Sequence, residues 1–431
     1  MKNTLKIFIL ISSILTAQNR PSIHQEQLEL ANQSSPPPAD LITVQNGIDV
    51  LLDQHSQRLA GKNIALVTNH SGVTKAGIPN YRVLMELADV NLKVIFSPEH
   101  GLFGEAAAGE KIKYGDDLKE LPEVISLYGK IRKPTATMLE SVDLILYDIQ
   151  DIGARFYTYI STMGLVMEAA GEVGIPIWIL DRPNPIRGDF IEGPLLEMKH
   201  QSFVGYYPIP IRYGLTAGEL AQLIIDQQWI NSSPELEIIS VTGWTKAIWF
   251  DETDLPWVAP SPNIPDLETA IVYPGMCLLE GTNISEGRGT YRPFKQIGAP
   301  WIDAHDLAAV MNNLNLPGVV FKPVSYTPVS IKGMSGNPKY KDQICNGIEL
   351  IIADRNFFNS VETGVQLLVQ VNKMYPAEFQ LKEKWLIKLW GNDLLVKGLN
   401  KGYSADKIFR EFAKSQNSYS LVADQNRIYP D

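Results

Sequence analysis

Cysteine and histidine are scarce in this chain of 431 residues, which has two of the first and six of the second. A chain of this length does not need a disulfide staple, so Cys277 and Cys345 are expected as two buried thiols. The histidines are His24, His55, His70, His100, His200 and His305, and no pair has the spacing of a zinc site. No metal and no cofactor is therefore expected. Basic excess is also missing. The net charge is -10, which argues against a nucleic-acid binder, since neutralising phosphates needs a surplus of lysine and arginine. Three motifs are absent as well. No glycine-rich stretch has the spacing and lysine of a P-loop, no dinucleotide fingerprint follows an early strand, and there is no G-x-S-x-G nucleophile elbow.

Hydrophobic runs long enough to cross a bilayer, which takes about 20 residues, are lacking too. The run Ile7 to Ala17 is short, and Lys2 and Lys6 precede it. This is the pattern of an export signal, taken here as residues 1–17. No cysteine follows it to carry a lipid. The expectation is an exported protein, periplasmic or extracellular, with no stable membrane insertion after signal removal. Residues 18–40 are polar and contain Ser34-Ser35-Pro36-Pro37-Pro38, a flexible spacer by composition. The sequence sets no oligomeric state.

From about residue 41 the pattern is α/β. Short apolar runs at Asn63–Thr68, Leu92–Ser97, Val142–Asp148 and Ile175–Asp181 read as buried strands, with a shorter one at Val124–Leu127. Helical stretches such as Tyr81–Ala88 and Tyr157–Val173 separate them. That alternation predicts a parallel sheet with helices on its faces, a Rossmann-like domain at 41–244. After about residue 245 prolines and turns multiply. Strand-like runs at Val319–Val324 and Gly347–Ala353 then mix with helical runs at Val361–Met374 and Ala405–Ala413. This predicts a second, α+β domain at 245–431, and polar glycine-rich loops on both sides of the boundary predict a site in a cleft that the two share.

Polar motifs begin where predicted strands end, and in an open parallel sheet those ends line the ligand crevice. Asn69-His70-Ser71-Gly72 follows the first strand. Pro98-Glu99-His100-Gly101 follows the second, a rigid turn in which Glu99, shielded by Phe103, is a candidate general acid and His100 its neighbour. Asp148 to Tyr159 brings together Asp148, Asp151, Arg155, Tyr157 and Tyr159, which suits a sugar's hydroxyls, faces and charges. Asp181-Arg182-Pro183-Asn184-Pro185 is stiffened by two prolines. The second domain adds Asn263 and a glycine-rich loop with Glu280, Asn283, Glu286, Arg288 and, just beyond, Arg292. Each motif has a competing structural reading: a capping glutamate, an internal Asp–Arg pair, a tyrosine in the core.

Taken together, Glu99-His100-Gly101, Asp148 to Tyr159, Asp181 to Pro185 and Glu280 to Phe294 resemble the exo-β-N-acetylmuramidase family of peptidoglycan hexosaminidases. The resemblance covers about residue 44 to the C-terminus. It implies removal of N-acetylmuramic acid from the non-reducing end of peptidoglycan fragments, with Glu99 as the leading catalytic residue. Glycoside hydrolysis usually needs a second carboxylate. Asp148, Asp151 and Glu286 compete for that role, unless the substrate's own acetamido group supplies the nucleophile. The other motif residues, Asn69, Arg155, Tyr157, Tyr159, Asp181, Arg182, Asn184, Asn263, Glu280, Asn283, Arg288 and Arg292, are expected to bind substrate. At least one of Arg155, Arg182, Arg288 and Arg292, with Arg155 and Arg288 ahead, is expected to read the lactyl carboxylate that marks muramic acid. A non-catalytic cell-wall carbohydrate binder, or a hydrolase of another bond, fits the same motifs.

Overall fold

The computed structural model describes residues 41–104 and 120–431, so the expected leader at 1–17 and spacer at 18–40 lie outside the described residues. Strands form at Asn63–Thr68 (β1), Asn91–Ser97 (β2), Glu123–Ser126 (β3), Leu144–Asp148 (β4) and Ile177–Leu180 (β5), on the apolar runs read from the sequence. Alternate residues of each serve two cores. Ile64 and Leu66, Leu144 and Leu146, Trp178 and Leu180 enter one cluster, while Ala65 and Val67, Ile145 and Tyr147, Ile177 and Ile179 enter the other. A strand covered on both faces has no polar side to show, so it reads as an unbroken apolar run. The strand Leu236–Ile239 (β6) gives no such signal. It has Glu237 inside it, and three of its four residues are half-buried.

Among the described residues these strands make one parallel sheet in the order β3-β2-β1-β4-β5-β6. The order reverses between β1 and β4, which pair from Ile64–Leu144 to Thr68–Asp148. Helices Gly47–Val50 (α1) and Asn80–Glu86 (α2) bury Ile48, Tyr81 and Leu84 on one face. Ala136–Leu139 (α3), Tyr159–Val173 (α4) and Ala217–Asp226 (α5) bury Leu139, Met163 and Leu220 on the other. Helix α4 stops at Gly174, whose φ of 74° is left-handed and lets its amide cap back onto Ala170.

The second half holds Leu267–Met276 (α6), Gln296–Ala299 (β7), Ala304–Asn313 (α7), Val319–Tyr326 (β8) and Cys345–Ile352 (β9). Then come Ser360–Met374 (α8), Glu383–Trp390 (α9), Leu394–Asn400 (α10) and Ala405–Asp424 (α11). Strands β7, β9 and β8 form an antiparallel sheet with β9 in the middle. The fold is thus α/β with a second α+β portion, as the strand rhythm implies. The two portions share a core. One cluster runs from Val67 and Ile145 through α4 to Met276, Leu367, Leu389, Trp390 and Tyr419. Cys277 and Cys345 are free buried thiols. Beyond α11 the chain returns to the first sheet. There the Tyr429 hydroxyl donates to Asp181 Oδ2 at 2.6 Å and accepts from the Val241 amide at 3.0 Å.

Candidate active site

A cavity of about 550 Å³ takes its walls from both halves of the chain. The first half contributes Glu99 and His100 after β2, Tyr128 and Arg132 after β3, and Phe156 to Tyr159 after β4. Ser202, Phe203 and Val204 join them. From the second half come Ser261, Asn263, Ile264, Tyr273, Cys277, Glu280, Arg288, Phe294, Trp385, Lys388 and Leu389. Strand ends of a doubly wound sheet therefore do meet the glycine-rich loop of the second half.

Glu99 stands in a tight turn. The Gly101 amide donates to the Pro98 carbonyl at 3.1 Å, and His100 and Gly101 have φ of 69° and 78°. Left-handed backbone is natural for the glycine and costs a histidine on the order of 1 kcal/mol, a local strain typical of working sites. Thr158 donates its hydroxyl to Glu99 Oε2 at 2.9 Å. Thr158 is also the N-cap of α4, but its side chain makes no cap there. Tyr128 lies on the same wall. Burial, and then the nearby Glu99 carboxylate, push its hydroxyl well above the usual tyrosine range. Phe103, the ring expected to shield Glu99, is 37% exposed and is not part of the wall.

Across the site Arg288 donates to Glu280 Oε1 at 2.8 and 3.2 Å and lies 3.7 Å from Glu286. Burial works against its charge, yet these two carboxylates raise its pKa above the ordinary arginine value. Glu286 is buried behind the wall and pairs with Lys339 at 2.9 Å. Burial alone would raise its carboxyl, but Lys339 and Arg288 outweigh it and hold the pKa below the usual range. Of the three candidates for the second carboxylate none reaches the cavity. The other acidic side chain on the wall, among the described residues, is Glu280.

Several expected ligands are engaged elsewhere, away from the wall. Asp148 is fully buried between Arg182, at 2.5 and 3.1 Å, and Asn80, at 2.8 Å. Arg182 also donates to the Val73 carbonyl at 2.7 Å. This network sits where the strand order reverses, so side chains fill the point at which a doubly wound sheet usually receives its ligand. Asp151 accepts from the Tyr213 hydroxyl and, at 2.7 Å, from the Gly153 amide, and burial pushes it up to about 6. Asn69 is buried and accepts from the amide and hydroxyl of Ser71. Asp181 accepts from Thr216, Tyr429 and the Gly218 amide. Asn184 holds Leu215 and Ile186. Asn283 clasps Glu378 and Gln380, and Arg292 pairs with Glu349.

Arg155 departs furthest from expectation. It is wholly buried and donates to four carbonyls, those of Pro194, Ile209, Leu389 and Trp390, at 2.7–2.8 Å. Burial pulls its pKa down to about 9. The four arginines expected to meet a carboxylate thus reduce to Arg288 on the wall, and Arg288 already has its partners. Asn263, Tyr157 and Tyr159 do line the cavity. Tyr159 donates to the Pro260 carbonyl at 2.6 Å and Asn263 to the Met334 carbonyl at 2.8 Å.

Sequence reasoning passes over Tyr128, Arg132, Thr158, Phe203, Tyr273, Phe294, Trp385 and Lys388. Most lie outside strand-end motifs, and Trp385 and Lys388 come from α9, more than 280 residues after Glu99 by their numbers. Tyr128 and Arg132, by contrast, directly follow β3 and carry the signal that drew attention to the other loops.

Aromatic walls suit sugar faces, and a carboxylate from each half suits acid-assisted cleavage between them. Fold and cavity together fit a glycoside hydrolase, and the similarity to known proteins shows that class. Family models for the N-terminal and C-terminal parts of the exo-β-N-acetylmuramidase NamZ match residues 64–268 and 271–429. The chain is 43% identical over 388 residues to the peptidoglycan β-N-acetylmuramidase NamZ of Bacillus subtilis (strain 168), covering 90% of this chain and 91% of that protein. Crystal structures of two DUF1343 family proteins from Bacteroides fragilis NCTC 9343 are also similar. One superposes with a TM-score of 0.82 at 33% identity and the other with 0.71 at 30%. Each covers 90% of this chain and 99% of its own. This chain belongs to the exo-β-N-acetylmuramidase NamZ family.

Proposed function

We propose that the enzyme removes N-acetylmuramic acid from the non-reducing end of peptidoglycan fragments, with Glu99 as general acid and Glu280 as the second carboxylate. The observation that carries this is a single aromatic-walled cavity with Glu99 on one half and the Glu280–Arg288 pair on the other. Glu99 donates its proton to the glycosidic oxygen as the bond to the anomeric carbon breaks, and Thr158 holds the carboxyl in place for that transfer. Positive charge then builds on the sugar ring. Glu280, aligned by Arg288, supplies the opposing negative charge, and water adds to the anomeric carbon once the alcohol has left, releasing the proton that restores the acid. Tyr157, Tyr273 and Trp385 supply ring faces against the sugar. The apolar leader supports a site of action outside the cytoplasm, where peptidoglycan lies.

The test is turnover of a synthetic muramic acid glycoside by the purified protein. Free muramic acid should accumulate. Glu99→Gln keeps the shape but has no proton to give, and kcat should fall about 10²–10⁴-fold on an alkyl glycoside. The loss should shrink on a nitrophenyl glycoside, whose leaving group needs no protonation. Equal turnover of the alkyl glycoside by a folded Glu99→Gln protein would remove Glu99 from the role, and absence of any released sugar with wild type would leave a binding protein.

A further inference from the structure

Arg132, Arg288 and Lys388 are the cations on the cavity wall among the described residues. Arg288 is already committed, hydrogen-bonded to Glu280 and close to Glu286, which Lys339 also pairs. Arg132 and Lys388 have no carboxylate partner among the described residues. Their neighbours are rings. The Arg132 guanidinium lies 4.5 Å from the centroid of Phe203, and the Lys388 ammonium 5.9 Å from that of Trp385. In a protein of net charge -10 an anionic substrate is drawn by such local exceptions.

We propose that Arg132 reads the lactyl carboxylate of the substrate, an inference that rests on the muramidase reading above. Three features select it over Lys388. A guanidinium matches a carboxylate through two parallel hydrogen bonds, which an ammonium does not. The Phe203 ring beneath the guanidinium holds it beside the cavity before the ligand arrives. Arg132 also lies close enough to Tyr128 to favour its ionised form, while Tyr128 in turn lies against Glu99. One tyrosine thus separates the guanidinium from the proposed proton donor. In muramic acid the lactyl ether leaves ring carbon 3, two bonds from the anomeric carbon, so its carboxylate falls on the wall around the proton donor, and Glu99 and Arg132 line the same cavity. Arg132 and Phe203 also wall an adjoining groove with Lys130 and Tyr206, which puts the contact at the mouth of the cavity.

The experiment compares kcat/KM for a muramic acid glycoside and for its neutral lactyl methyl ester. Wild type should prefer the acid by about 10- to 150-fold, the worth of one charge-assisted hydrogen-bonded pair. In Arg132→Ala the ratio should fall toward one, and Arg132→Lys should restore part of it. Arg132 is exposed, so the variant is expected to fold. A ratio unchanged in Arg132→Ala, or one that falls only in Lys388→Ala, overturns the assignment. Calorimetric binding of free N-acetylmuramic acid and N-acetylglucosamine reads the same contact without turnover. If wild type cleaves neither glycoside but binds the acid selectively, and Arg132→Ala loses that selectivity, the muramidase reading fails while the contact stands.

Discussion

Burial pushes the Asp151 carboxyl up to about 6, against the opposing pull of Tyr213 and of the Gly153 amide. The unfolded group titrates near 4, so its neutral form favours the fold at low pH, and that contribution is lost as pH rises through about 6. Titration near 6 in place of about 4 corresponds to roughly 3 kcal/mol. Wild type should therefore lose up to about 3 kcal/mol relative to Asp151→Asn between about pH 4 and pH 8. Urea unfolding of both proteins across that range is the measurement, and a difference that does not change with pH would mean that the carboxyl does not titrate there. The same residue shows where the sequence misleads. Asp148, Asp151, Asp181 and Arg182 stand at strand ends, where ligands are sought, and a charge that can grip a sugar can equally grip another charge. Asp148 and Arg182 are 34 positions apart, and only the folded chain pairs them. Glu99 is more legible, because Pro98 and Gly101 announce its turn.

Among the elements, α9 shows what Arg155 does. The guanidinium rises from the loop after β4 and takes the last two carbonyls of α9, Leu389 and Trp390. Gly391 follows with φ 96°, and a Cβ there would lie 2.7 Å from Arg155 Nη2, so the helix end and the arginine fit only with glycine between them. The clasp sets α9, with Trp385 and Lys388, against the cavity. Arg155→Met leaves four buried carbonyls without their donor and should cost on the order of 3–5 kcal/mol. Its acid-to-ester preference should stay near wild type once folded, measured at low temperature. A selective loss of that preference would place Arg155 in the substrate's path. Elements are legible where burial is two-sided, as in β1 and β4. β6 has a half-buried run broken by Glu237, and β7 is short and begins at Gln296, so neither offers an apolar pattern to read.

For the whole molecule, the continuous cluster from Val67 to Tyr419 makes the two sheets parts of one packed interior. Neither half can open without exposing apolar surface of the other. Scanning calorimetry should accordingly show one unfolding transition, with Trp fluorescence and far-UV ellipticity changing together. Two resolved transitions would mean that the shared interior does not couple the halves. The doubly wound topology is legible from strand and helix alternation, and so is the meeting of its loops with a second portion. What is not legible is that the reversal point between β1 and β4 is filled by Asp148, Asn80 and Arg182, which displaces the cavity toward the loops after β2 and β4.

Tyr429 has a consequence in time. Asp181 closes β5 early in the chain, but one of its hydroxyl donors is made 248 positions later. A growing polypeptide has to emerge through residue 429 before the end of β5 has all its partners. Until then Asp181 lacks the Tyr429 hydroxyl that completes its set of donors.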